Sequence, residues 1–91
     1  MSYSEPLVYY STFDFPELRY IVSKIEFLGN TYTRTDLMAI KLQVYLERMF
    51  AGFWIVVVSD APVGSAIPPL QSYMYSSHKG FFFRVYGFSG L

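Results

Sequence analysis

Cysteine is absent from this 91-residue chain, which removes disulfides, thiolate zinc sites and a thiol nucleophile together. Histidine and tryptophan occur once each, and net charge is lacking too, because seven Lys plus Arg balance seven Asp plus Glu. With no basic field to condense on phosphate, no nucleic-acid partner and no membrane partner is expected. The wholly apolar run containing Trp54, Phe53 to Val58, falls far short of the roughly 20 residues that span a bilayer. Met1 to Tyr10 carry neither a basic leader nor an apolar core, and Ser2 stands where myristoylation needs glycine. A cytoplasmic chain is the expectation.

Apolar matter, by contrast, is abundant. Hydrophobic residues make up 53% of the chain and aromatics 21%, more than a small monomer hides easily, so some of it should face a partner. The length implies one domain over 1–91. Leu7 to Thr12 is rich in β-formers, and Asp14 with Glu17 three residues on has the form of a helix-capping box. Leu18, Ile21, Val22, Ile25 and Leu28 then recur at helical spacing until Gly29-Asn30, which reads as a stop. Thr33 or Thr35 can cap a second helix running to Phe50. Its apolar residues occupy more than one face, so it should be covered on two sides, by its own sheet and by either the first helix or another subunit.

Phe53 to Val58 is continuously β-branched and aromatic, as for a central strand buried on both faces. Ser59 to Pro62 reads as a turn and Val63 to Ile67 as a short edge strand stopped by Pro68-Pro69. Gln71 to Ser77 and Phe81 to Tyr86 form a hairpin about Lys79-Gly80. The fold class is therefore α+β: strand, helix, helix, then four strands, an antiparallel sheet with both helices on one face.

Catalytic groups are sparse, and no enzyme is expected. A triad of Ser76 or Ser77, His78 and Asp60 fails because adjacent strand residues point to opposite faces, and His78 reads as a solvated residue beside a turn. The carboxylates are scattered, Val63-Gly64-Ser65 lacks phosphate-loop spacing, and neither a cofactor nor a metal is implied. Tyr73, Tyr75, Phe81, Phe82 and Phe83 could stack bases, but only Lys79 and Arg84 lie near, so a sheet core or a protein interface is the better reading.

The element order and the spacing of Trp54, Gly64-Ser65 and Ser89-Gly90 resemble the hub-type dynein light chains, of which this would be a divergent member. In that family a Trp begins the strand after the second helix, a Gly-Ser pair opens the short edge strand, and the chain ends in Ser-Gly. From Pro6 the pattern runs without a gap to the turn, takes one extra residue near Ala61 to Val63, and continues to Gly90. The resemblance implies a strand-exchanged dimer, homodimeric or heterodimeric, with Trp54, Ile55, Val57, Val63, Ser65 and Ile67 at its interface. It also implies partner segments added beside the exchanged strand, at a groove of Val63, Gly64, Ser65, Ala66, Ile67, Thr35, Asp36, Ser76 and His78.

The implied function is that of a non-catalytic light chain of a dynein motor, cytoplasmic or axonemal, with dynein intermediate or heavy chains as partners. The alternative is a general dimerising hub for unrelated cytoskeletal or regulatory proteins. Ala66, Pro68 and Pro69 replace the family's groove-strand residues, Ser76 and His78 replace its tyrosines, and Thr35-Asp36 replaces its Glu-Lys. Weak or absent binding of a standard Thr-Gln-Thr segment follows. Ile55 stands where the family has a histidine whose protonation loosens the dimer, so no acid-triggered monomer is expected.

Overall fold

A computed structural model describes residues 5–62 and 72–88. The described elements are β1 (Leu7–Ser11), α1 (Phe15–Thr31), α2 (Thr35–Met49), β2 (Phe53–Ser59), β3 (Ser72–His78) and β4 (Phe81–Phe88). The strands form one antiparallel sheet in the order β1-β3-β4-β2. Three strands therefore follow the helices among the described residues, and the expected short strand Val63 to Ile67 lies outside them.

Alternation along the strands divides the sheet into two unlike faces. Ile21, Ile25 and Leu28 of α1, and Met38, Leu42 and Leu46 of α2, recur at steps of three and four and close over the inner face. There they meet Trp54, Met74, Phe83 and Val85. The Lys79-Gly80 turn joins β3 to β4 with both residues at positive φ, 52° and 84°, the primed geometry that matches strand twist. Between Val8 and Tyr10 the β1–β3 register shifts by a bulge, leaving Tyr9 without a cross-strand partner. Tyr9 and Tyr10 consequently share the outer face, stacking on Tyr75 and Tyr73 respectively.

Three expectations need correction. First, β2 is an edge strand of the described sheet, not a central one. Its inner side packs under α2, but Phe53, Ile55 and Val57 on the outer side are 71%, 49% and 45% exposed. Hydrophobicity on both faces of a strand demands a cover on both, and this chain's helices supply only one. Second, α1 runs through Gly29-Asn30 to Thr31, and the Tyr32 N–H closes its last turn on the Leu28 carbonyl at 2.9 Å. Gly29 is instead a close-approach residue: a Cβ there would sit 2.6 Å from Cδ2 of His78.

Third, neither helix has a side-chain cap. The Asp14 carbonyl, not its carboxylate, accepts from the Leu18 N–H, and Arg34 rather than a threonine stands at the α2 cap position. The face of α2 bearing Ile40 and Val44 is exposed, and no described residue supplies the second cover that was expected from the first helix or another subunit.

Candidate partner-binding site

Of the expected groove residues, Val63, Gly64, Ser65, Ala66 and Ile67 lie outside the described residues, as do Val63, Ser65 and Ile67 in their expected interface role. The other four gather at one end of the molecule. His78 opens the β3–β4 turn, Ser76 precedes it by two residues on the same face, and Asn30 ties the end of α1 to His78. Thr35 and Asp36 begin α2 a few residues beyond. Asp36 is exposed and pairs with Arg34 at 2.6 Å, which lowers its own pKa and raises that of Arg34.

His78 is not the solvated turn residue expected of it. It is 2% exposed, seated against Gly29, with Nε2 2.9 Å from Oδ1 of Asn30. Burial pushes its pKa down; the charge of Glu26 and the Glu5 backbone pull it up, and Lys79 pushes it down further. The neutral ring with a proton on Nε2 donates to Asn30, and Nδ1 makes no hydrogen bond of ordinary length with described residues. Ser76 is fully buried, and its Oγ also lacks a partner among the described residues. Two polar atoms two residues apart on β3 thus face inward with no close partner among the described residues. No sequence signal places them there except the period of the strand, because the seat is made by α1 residues 48 positions away.

The triad drawn from Ser76 or Ser77, His78 and Asp60 is not assembled. Ser77 lies on the outer face with Oγ 2.8 Å from the Tyr9 hydroxyl, His78 is bonded to Asn30, and Asp60 is exposed. Among the described residues no three His, Cys, Asp or Glu side chains group to hold a metal ion. No described helix is long and apolar enough to cross a membrane.

The aromatic run does not form a free stacking platform either. Phe83 is fully buried in the core, and Tyr73 is buried beneath its neighbours. Outer-face rings engage one another, Tyr73 with Tyr86 at 5.0 Å and Tyr9 with Tyr75 at 5.1 Å. Arg84 is buried among them, its guanidinium 4.4 Å from the Tyr75 ring centroid and its Nε donating to the Tyr73 hydroxyl at 3.3 Å.

The three described residues expected at the dimer interface divide between the faces. Trp54 is buried on the helix side, stacked on Phe13 at 5.6 Å and tilted against Phe50 at 5.8 Å. Ile55 and Val57 project outward. The two edges of the sheet also differ. β1 is interrupted by its bulge, whereas β2 pairs one-to-one with β4 from Phe53↔Phe88 to Ser59↔Phe82, with no charged residue or proline in its length. Bulges, prolines and charges are how natural edges are blunted against strand addition. β2 has none of them.

No family model matches the chain, and no curated protein matches it by sequence. Solved structures do match. The dynein light chain-like domain of the calcium-binding protein FhCaBP2 of Fasciola hepatica superposes with a TM-score of 0.82 at 10% identity, covering 93% of this chain and 92% of that one. A mercury derivative of the same domain gives 0.81 at 9% identity over 99% and 98% of the two chains. The DLC-like domain of CsTAL3 gives 0.75 at 16% identity over 93% and 94%. Arrangement of elements, rather than sequence, is what these proteins share with the chain. It has the dynein light chain-like fold.

Proposed function

We propose that the chain is a non-catalytic dimeric adaptor of the dynein-light-chain type, holding extended partner segments by β-strand addition. The observation that carries this reading is β2, a regular, uncharged strand that no described strand pairs on its outer edge and whose Phe53, Ile55 and Val57 are exposed on a face the described helices leave bare. A strand from a second chain laid along β2 would pair its free main-chain groups, and a second sheet would cover its side chains. The excess of apolar residues and the fold of the solved relatives support the same reading. Val63 to Ile67 is the exchanged strand on this proposal, and Ser76, His78, Thr35 and Asp36 mark the end of the molecule where the partner segment lies.

Sedimentation equilibrium tests the assembly: a dimer is expected, and a monomer at micromolar concentration contradicts it. Copurification from the source cell then separates the two partner readings. Recovery with dynein intermediate or heavy chains supports a motor subunit of cytoplasm or axoneme. Recovery with many unrelated proteins supports a general hub.

A further inference from the structure

At the end of the sheet opposite His78, the start of α1, the end of α2 and the last residues of β4 surround a cleft of about 280 Å³. Its walls are Phe13, Phe50, Trp54 and Phe88, with Gly87 beside them, and its one ionisable side chain is Glu17. Gly87 packs closely there: a Cβ would lie 3.0 Å from the Trp54 ring and 3.3 Å from that of Phe13. Glu17, half-buried in the first turn of α1, makes no ion pair or side-chain hydrogen bond with described residues, and the capping role its position suggests is unfilled. The indole N–H of Trp54 is buried nearby without an acceptor among the described residues.

We infer that this cleft binds a quaternary ammonium group. Aromatic faces attract a cation through their quadrupoles, and an unpaired carboxylate at the wall adds a charge of the right sign. The choice of a quaternary over a primary ammonium follows from counting acceptors. A primary ammonium carries three N–H donors, and aromatic rings offer no lone pair, so among the side chains lining the cleft only Glu17 and Ser72 could accept from it, and the remaining donor would have to keep its water. A trimethylammonium head has no donor to satisfy. The cleft is also slightly below the size range of drug-sized ligand pockets, roughly 300 to 1,000 Å³, which suits a small head group. The cleft is lined by residues of one chain, so although Trp54 is also an expected interface residue, the inference does not rest on the proposed dimer or its groove.

Trp54 is the chain's only tryptophan, so its fluorescence reports directly on the site. Titration with choline is expected to give a saturable change in the roughly millimolar range. Its neutral isostere 3,3-dimethylbutanol should bind about tenfold more weakly, and ethanolamine more weakly than choline. Glu17→Gln, at a half-exposed position that leaves the core intact, should weaken choline several-fold without changing the binding of the neutral isostere. Phe13→Leu serves as a second variant that should weaken choline. A trimethyllysine peptide run beside choline distinguishes a modified side chain from a small-molecule source, and either one binding supports the assignment. No saturation by either, equal affinity for choline and its neutral isostere, or tighter binding of ethanolamine overturns it.

Discussion

The two faces of this sheet are built from similarly apolar residues and end in opposite circumstances. On the inner face Met74, Phe83 and Val85 are wholly excluded from water by two helices of the same chain. On the outer face Phe53, Ile55, Val57, Tyr9 and Tyr10 remain substantially exposed. Burial is worth about 25 cal/mol per Å² of apolar surface wherever the cover comes from. The inner face collects that stabilisation within one chain. The outer face is covered by no described residue, and if its cover comes from a second chain, as proposed, its share of stability should depend on concentration.

Four experiments would break or sharpen that contrast. The largest effect is expected from Phe83→Ala, which removes a fully buried ring and should cost about 3–5 kcal/mol in urea unfolding, irrespective of protein concentration. A small loss would mean that the inner face is not the core. Next, Ile55→Lys with Val57→Lys should leave the far-UV circular dichroism of the fold in place. It should also weaken self-association by roughly 2 kcal/mol or more, about 30-fold in dissociation constant. Unchanged sedimentation of that variant would remove the case for an outer-face interface.

Gly29→Ala should cost about 1–3 kcal/mol, because its Cβ meets the buried ring of His78 rather than a yielding chain end. Combining it with His78→Ala should recover part of that loss, whereas additive losses would show that the two residues do not press on each other. The smallest effect concerns acid. Burial holds the pKa of His78 below its ordinary value of 6.5, so as pH falls through that value the unfolded chain takes up its proton first. The neutral histidine's contribution is therefore complete above about pH 6.5 and declines below it. Urea midpoints between about pH 8 and pH 5 should fall less for His78→Gln than for the parent. An identical decline in both would assign the effect to the carboxylates instead.

Much of the fold was legible from periodicity. The stripe Ile21, Ile25, Leu28 places one side of α1, and the Lys79-Gly80 pair marks the hairpin, because each is a local pattern with a local cause. β2 shows where that reasoning stops. Its composition announces that both faces need a cover, but not whether the cover is a neighbouring strand, a helix or another molecule, so an edge strand was legible only as a central one. Gly29-Asn30 failed for a related reason. The dipeptide is a good helix stop in isolation, and only His78, arriving from the far end of the chain, turns it into the floor and anchor of a buried seat. The candidate groove was less legible still. Ser76 and His78 carry no helical or charge signature, and their inward orientation follows only once the register of β3 against β4 is known.

The bulge in β1 has a bearing on chain length. Since Tyr9 has no partner across the strand, the residues before and after it keep their own partners on β3 independently of it. A deletion at that point would restore simple alternation without moving Leu7-Val8 or Ser11 to the wrong side, whereas a deletion anywhere in β4 would turn Phe83 and Val85 outward. The amino-terminal strand can thus lose one residue and keep the rest of its pairing with β3.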